Sequence, residues 1–224
     1  MAKNVKKEDG LENVQEALTT SGSWIIKHQN AITWVITAIL TVVLIIMAVH
    51  NYYLKPKNNE ANNEIGKAVV YFAAHDYQTA LNGDDADCIG FEQIADDYAL
   101  TKGGKLAALY AGLCYYNLED YESAVKYLKK FNSKDLNVGP AAKEKLGDAY
   151  VALGELNKAA KCFEKAAKSN NNVIAPISLK KAGLVYLELG NNKAAKKAFQ
   201  SIKDNYPNSQ EAQDIDKYIA NITD

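Results

Sequence analysis

Hydrophobic and polar residues follow two different patterns along this chain, and the change comes near Pro56. Residues 31–49, AITWVITAILTVVLIIMAV, form an apolar run of 19 residues without a charge. At about 1.5 Å per residue, a helix of this run is roughly 28 Å long, close to the hydrocarbon thickness of a bilayer. We therefore predict one membrane-spanning helix over residues 31–50.

A cleaved signal peptide is the alternative interpretation of this run. The run is too long for the apolar core of a signal peptide, it begins some thirty residues into the chain, and MAVHNYY offers no small-residue cleavage site. The pattern therefore favours a retained anchor. Charge does not decide its orientation, because four lysines precede the run at short range and three follow it. The polar segment 1–30 carries Leu11, Val14 and Leu18, which suit a short amphipathic helix.

Beyond Pro56, apolar residues recur at helical spacing to the end of the chain, and one motif recurs with them. A glycine is followed three positions later by tyrosine and twelve positions later by alanine, in three units that start 35 and 36 residues apart. The glycines are Gly112, Gly147 and Gly183, the tyrosines Tyr115, Tyr150 and Tyr186, and the alanines Ala124, Ala159 and Ala195. A period of this size, long enough for two helices, is typical of stacked helical repeats.

Steric demands explain this spacing. The small residues let the first helix of a unit approach the second closely, and the tyrosines fill the space between them. Gly154 and Gly190 stand where the first helix should end, at a position that favours the left-handed conformation. Glu119 replaces that glycine in the first unit.

The flanks of the three units are more weakly patterned but still helical. Residues 58–103 indicate a degenerate helical repeat with an enlarged connection, NGDDADCIG, and residues 209–224 carry one apolar stripe. That stripe suits a capping helix, and it comprises Ala212, Ile215, Ile219 and Ile222. We predict an all-α fold: a single N-terminal transmembrane helix, then an α-solenoid with a C-terminal capping helix.

At these residues the chain resembles the tetratricopeptide repeat family. The Gly, Tyr, Gly, Ala and Phe positions match the family pattern in order, and Pro207 stands where the third unit should close. The resemblance implies three tetratricopeptide repeats within residues 105–208.

Composition narrows the chemistry that the chain can perform. Its net charge is −1 and all 26 basic residues are lysines, which argues against nucleic-acid binding. The three cysteines form no CxxC pair, and the three histidines are scattered. We therefore predict no enzyme activity, no cofactor, no metal and no small-molecule substrate. The acidic stretch 76–97, with NGDDAD inside it, leaves a calcium site as a minor alternative to a solvated acidic face.

Binding is the function that remains, and a solenoid of this type binds partners on the face lined by its first helices. By repeat position we predict a partner-binding groove of mixed apolar and acidic character. Its candidate residues are Leu106, Leu109, Leu113, Tyr116, Glu144, Asp148, Val151, Ile177, Lys180, Leu184 and Leu187. Related heat-shock co-chaperones clamp a terminal carboxylate with basic and amide side chains on this face. Here Leu109, Leu113, Glu144 and Asp148 take the corresponding positions, so we expect apolar segments as ligands instead.

The layout of a short polar head, one span and then repeats resembles the YfgM-type ancillary subunit of the bacterial Sec translocon, in a Bacteroidota-like version. That resemblance implies a scaffold or chaperone-like subunit in the bacterial inner membrane, with a cytoplasmic N-terminus and periplasmic repeats. It also implies Sec translocon subunits and a membrane-anchored PpiD-like chaperone as partners. The alternatives are a cell-envelope assembly or division scaffold and, from a different class, a metal-dependent or enzymatic regulator using residues 84–97.

Overall fold

The computed structural model describes residues 26–84, 86–169 and 171–222. The chain divides into two compact units, Met1–Leu54 and Lys55–Asp224. The predicted amphipathic turn with Leu11, Val14 and Leu18 lies outside the described residues.

The first unit contains helix α1, Gln29–Ala48, followed by a π-helical segment, Val49–Leu54. Three threonines inside α1 each donate their hydroxyl to the backbone carbonyl four residues earlier, at 2.8 Å: Thr33, Thr37 and Thr41. These hydrogen bonds satisfy the hydroxyls within the helix, so that they do not need water. No residue of α1 is buried, and by length and composition the helix qualifies as a candidate membrane span.

The second unit is all-helical over its described residues. Its α-helices are α2 (Lys55–Ala73), α3 (Tyr77–Asn82), α4 (Gly90–Asp97), α5 (Lys102–Asn117), α6 (Tyr121–Leu128), α7 (Val138–Ala152), α8 (Leu156–Ala167), α9 (Ile174–Glu188), α10 (Asn192–Asn205) and α11 (Ile215–Ala220). The fold prediction is thereby confirmed as all-α, with one apolar N-terminal helix followed by helical repeats.

In each later pair, a glycine on the first helix lies against a large apolar side chain of the second helix. These pairs are α5/α6, α7/α8 and α9/α10. A Cβ atom on Gly147 would meet the Phe163 ring at 2.5 Å, and Gly183 faces Phe199 in the same way. In the α5/α6 pair Leu128 takes the place of the ring, 2.6 Å from where a Cβ on Gly112 would lie. The expected close approach of paired helices is therefore present, and its steric reason is confirmed.

One turn recurs four times between first and second helices. Its left-handed residues have φ angles between 60° and 71° and are His75, Glu119, Gly154 and Gly190. In each turn the next residue donates its backbone N–H to the carbonyl of a tyrosine, at 2.8–3.0 Å; these tyrosines are Tyr71, Tyr115, Tyr150 and Tyr186. The turn therefore also joins α2 to α3.

His75 precedes Glu119 by 44 residues, whereas the later turns are 35 and 36 residues apart. The loop between α3 and α4 accounts for the extra length, because it divides the second helix of the first pair into two short helices.

After α10 the chain forms a 3₁₀ turn, Gln210–Gln213, and then helix α11. Ile215 is buried, and the other residues of the predicted apolar stripe pack around the cluster of Phe199 and Ile202. Helix α11 begins only at Ile215, because Asp214 separates it from the 3₁₀ turn.

Candidate docking groove

A cavity of about 420 Å³ opens between the first helices of the last three pairs, α5, α7 and α9. We call it the groove, and its lining comprises Tyr116, Asp148, Val151, Ala152, Phe163, Lys181, Leu184 and Val185. All but Phe163 come from first helices, as the repeat positions predict, because the first helices of successive pairs lie side by side.

Apolar surface in the groove is only partly covered by the chain itself. Val151 on α7 and Leu184 on α9 each keep 41% of their surface exposed, and Tyr116 on α5 is half-buried beside them. A ligand that covers large apolar side chains exposed on facing helices removes their surface from water, which favours binding.

A lysine crosses the groove between two first helices. The Lys181 ammonium on α9 donates to Glu144 Oε1 at 2.6 Å and to Asp148 Oδ1 at 2.8 Å, both on α7. Lys145 lies 3.2 Å from Asp148 Oδ2 and 4.4 Å from the centre of the Tyr116 ring. Two lysines thus face two carboxylates, so this part of the groove is close to neutral.

Burial lowers the pKa of Lys181, but its hydrogen bonds to Asp148 and Glu144 outweigh that effect and leave the pKa raised. Lys181 is therefore charged at neutral pH and already paired on two sides. An incoming carboxylate would have to compete with these two partners, which agrees with the expectation that the groove does not clamp a chain terminus.

The predicted groove residues separate into distinct environments. Tyr116, Asp148, Val151 and Leu184 line the cavity, and Glu144 reaches it through Lys181. Leu109 is instead buried in the core, so its predicted place on a ligand surface is wrong. Lys180 is not part of the cavity lining, and its ammonium donates to both Asp214 oxygens, at 2.8 and 2.9 Å.

The four remaining candidates, Leu106, Leu113, Ile177 and Leu187, are half-buried. Leu106 and Leu113 pack against the core cluster around Leu109, and Leu187 packs against the cluster around Phe199.

The sequence reasoning missed Ala152, Phe163, Lys181 and Val185. A usable signal existed for Lys181, which follows Lys145 by 36 residues, one repeat length. The signal for Phe163 was weaker, because the family pattern assigns this residue to the core, where it is in fact buried under Gly147.

The carboxylate of Asp84 stabilises the acidic loop between α3 and α4 by accepting hydrogen bonds. Asp84 Oδ1 accepts the backbone N–H groups of Ala86, Asp87 and Cys88 at 2.8–2.9 Å, and Asp84 Oδ2 accepts the Tyr71 hydroxyl at 2.6 Å. The Tyr71 hydrogen bond and the three backbone donors hold the pKa of Asp84 far below its usual range.

Within the described residues, no three histidine, cysteine or acidic side chains come together as a metal ligand set. Both carboxylate oxygens of Asp84 already accept hydrogen bonds within this part of the fold.

The three cysteines carry unreactive thiols. Burial raises the pKa of Cys114 to about 12 and also raises the pKa values of Cys88 and Cys162. A thiolate is the nucleophilic form of cysteine, so these thiols are poor nucleophiles at neutral pH.

Comparison with known proteins agrees with this geometry. Residues 106–135 and 144–210 each match a family model described as tetratricopeptide repeat. The chain is also 32% identical over 116 residues to tetratricopeptide repeat protein 29 of Homo sapiens, an alignment that covers 49% of this chain and 23% of that protein. The chain thus spans under a quarter of that relative's length.

Proteins built on this repeat are generally non-catalytic scaffolds for protein–protein interaction. The repeats, the groove between their first helices and the candidate membrane span together describe a repeat-bearing chain with a surface for protein partners.

Proposed function

We propose that this chain is a membrane-anchored, non-catalytic scaffold of the YfgM-like type, which associates with the Sec protein translocon. Its N-terminus lies in the cytoplasm and its repeats lie in the periplasm of a bacterial cell. Sec translocon subunits and a membrane-anchored PpiD-like chaperone are its partners, and the groove binds them or an emerging client.

One observation carries the proposal: exposed apolar side chains on neighbouring first helices flank a lysine that two carboxylates already neutralise. This arrangement suits an apolar segment of a partner protein better than a charged terminus, since a ligand that covers Val151 and Leu184 displaces water from apolar surface. The candidate span supports a role at a membrane.

The experiment is affinity purification of the full chain from detergent-solubilised membranes, with quantitative mass spectrometry. We compare the wild type with a Val151→Asp, Leu184→Asp double variant and with Val70→Asp. Val70 is an exposed valine on α2, outside the groove, and serves as the matched control.

We expect the wild type and the control to recover translocon subunits and a PpiD-like chaperone. The double variant should recover about tenfold less, since tenfold corresponds to about 1.4 kcal/mol of lost contact. Recovery of division or envelope-assembly proteins instead would support that alternative scaffold role. Equal recovery by the double variant would remove the groove from the proposal.

A further inference from the structure

The second helix of the last pair carries a block of positive charge. Residues 189–203 contain four lysines and no acidic residue. Lys196 and Lys197 follow Lys193 by three and four positions, so the three exposed side chains share one side of α10. They line a cavity of about 720 Å³ along the start of this helix, and none of its described lining residues is acidic. We call these three lysines the basic face.

The acidic residues nearest in sequence lie outside the basic face. Glu188 is the last residue of α9, and Asp204, near the end of α10, accepts the Gln200 amide at 2.8 Å. The fourth lysine, Lys203, donates to Asp216 at 2.7 Å. The basic face therefore presents cations of one sign to solvent.

The first helix pair carries the opposite charge on its divided second helix. Residues 76–97, from the residue before α3 to the end of α4, contain seven acidic residues and no lysine. We call this range the acidic segment. Asp87 and Asp96 each pair with one lysine of a neighbouring segment, at 2.9 and 2.6 Å, yet their side chains stay 83% and 55% exposed. Asp97 is also exposed, so the acidic segment presents several carboxylates to solvent.

The basic face and the acidic segment belong to opposite ends of the stack of helix pairs. Helices α3 and α4 contact α2, α5 and one another, whereas α10 contacts α9, α11 and the 3₁₀ turn. Among the described helices, none of the first pair contacts one of the last pair. The two blocks of charge therefore do not neutralise each other within one chain.

The separation of charge extends along the repeats. Residues 55–99 hold nine acidic residues and three lysines, whereas residues 100–208 hold ten acidic residues and 18 lysines. The whole chain nevertheless has a net charge of only −1, so long-range repulsion between two copies is small. Two copies therefore attract each other when the positive end of one meets the negative end of the other.

We propose that the basic face of one copy of this chain binds the acidic segment of a second copy. The contact is head-to-tail, so each added copy leaves one basic face and one acidic segment open, and association extends into a chain or closes into a ring. Neither surface includes a lining residue of the groove. This self-association goes beyond the proposed function and does not depend on it.

The test is sedimentation velocity of the full chain in a non-ionic detergent over a range of protein concentrations. Exposed ion pairs are individually weak and are screened by salt, so the contact depends on several pairs at once. We expect the sedimentation coefficient to rise with protein concentration in about 50 mM sodium chloride. The association constant should fall at least about tenfold in about 500 mM sodium chloride.

Two charge-neutralising variants separate the two sides of the contact. The first variant is Lys193→Gln, Lys196→Gln, Lys197→Gln, and the second is Asp87→Asn, Asp96→Asn, Asp97→Asn. Each variant alone should associate at least about tenfold more weakly than the wild type, because one side of every contact has lost its charge. Mixed in equal amounts, the two should form a one-to-one dimer that grows no further, since the first keeps the acidic segment and the second keeps the basic face.

The matched control changes net charge by the same amount at exposed lysines outside α10 and should associate like the wild type: Lys102→Gln, Lys105→Gln, Lys134→Gln. Circular dichroism melts check that every variant folds; should the triple aspartate variant unfold, Asp97→Asn alone takes its place in the mixture. A wild type that stays monomeric in low salt would overturn the proposal. Association of equal strength at both salt concentrations would also overturn it, and would assign the contact to apolar surface. A mixture of the two variants that forms no dimer, or a control as weak as the first variant, would overturn it as well.

Discussion

The first helix pair and the third helix pair make the same turn, but the first adds polar contacts to its apolar core. In the third pair, α7 and α8, the Phe163 ring lies on Gly147 and the contact is apolar. In the first pair the second helix is divided, and polar contacts bridge the gap: Tyr71 donates to Asp84, and Lys67 donates to Asp87 Oδ1 at 2.9 Å.

The difference shows how an inserted loop changes the interactions that stabilise a repeat. An uninterrupted second helix buries its apolar stripe against the first, as Phe163 does on Gly147. A loop that interrupts the helix exposes backbone N–H groups, and these need an acceptor such as Asp84. Both pairs should respond to changes in core volume, and the first pair should respond in addition to pH and to loss of hydrogen bonds.

Truncation of the central ring in the third pair should have the largest effect. Phe163 is buried, so Phe163→Ala leaves a cavity and should lower the free energy of unfolding by about 3–5 kcal/mol. Urea denaturation followed by circular dichroism measures the change. A loss under 1 kcal/mol would mean that the ring is not the main contact of the pair.

The second-largest effect is expected when a methyl group is added to the other residue of the same contact. Gly147→Ala forces a Cβ against the Phe163 ring and should destabilise by about 1–3 kcal/mol, despite the better helix propensity of alanine. Gly66→Ala in α2 is the matched control, because nothing lies within 4 Å of its Cβ position. The control should be neutral or slightly stabilising in the same urea assay, and equal effects at both sites would contradict the steric explanation.

A carboxylate joins the first pair to the second, and its loss should have a smaller effect. Glu92 on α4 accepts the Tyr115 hydroxyl at 2.9 Å and the Tyr127 hydroxyl at 2.6 Å. Burial, and then the hydrogen bond to Glu92, raise the pKa values of both tyrosines. Glu92→Ala leaves two hydroxyls without this acceptor and should cost about 1–2 kcal/mol.

Ultraviolet titration of the tyrosines provides a second readout for Glu92. Both tyrosines should ionise at lower pH in the Glu92→Ala variant than in the wild type. Glu92→Gln, which keeps one acceptor oxygen, is the control and should lie between the two. Unchanged ionisation would contradict the importance of this carboxylate.

Relief of backbone strain at a turn should give a small gain in stability. Glu119 has a φ of 64°, which costs a side-chain-bearing residue energy that glycine avoids. Glu119→Gly should therefore stabilise by about 0.5–1 kcal/mol after the greater unfolded-state entropy of glycine is subtracted. Gly154→Ala, at the equivalent turn, should change thermal stability in the opposite direction.

The acidic loop should show the smallest effect, and the difference between wild type and variant should shrink on acidification. Because the pKa of Asp84 is lower in the folded state, its contribution is complete above the unfolded pKa near 4 and is lost as the pH falls toward the folded pKa. Asp84→Asn removes this titration. We expect wild-type stability to fall more steeply than that of the variant between about pH 5 and pH 2, as measured by urea denaturation. Parallel curves would contradict the linkage.

Much of the fold was predictable from the chain because its determinants are local and periodic. Glycine, tyrosine and alanine at fixed intervals specify close helix packing wherever they recur, so the last three pairs and their turns could be read from spacing alone. The apolar run of α1 predicts a candidate span for the same reason, since length and composition are sufficient.

The groove could be predicted only in part. Repeat position brought Tyr116, Val151 and Leu184 to the lining of one cavity, but periodicity cannot distinguish a leucine that packs inward from one that faces solvent. Leu109 is buried because a helix of this kind is covered on more than one side.

The sequence by itself determined the helical repeats, their turns and the candidate membrane span. Only the tertiary structure decided that Lys181 bridges two carboxylates, that Tyr71 donates to Asp84, and that Glu92 accepts two tyrosine hydroxyls. The physical reason is distance along the chain. The repeats, turns and span follow from short-range periodicity, whereas these contacts join residues 13 to 37 positions apart that become neighbours only when the helices pack.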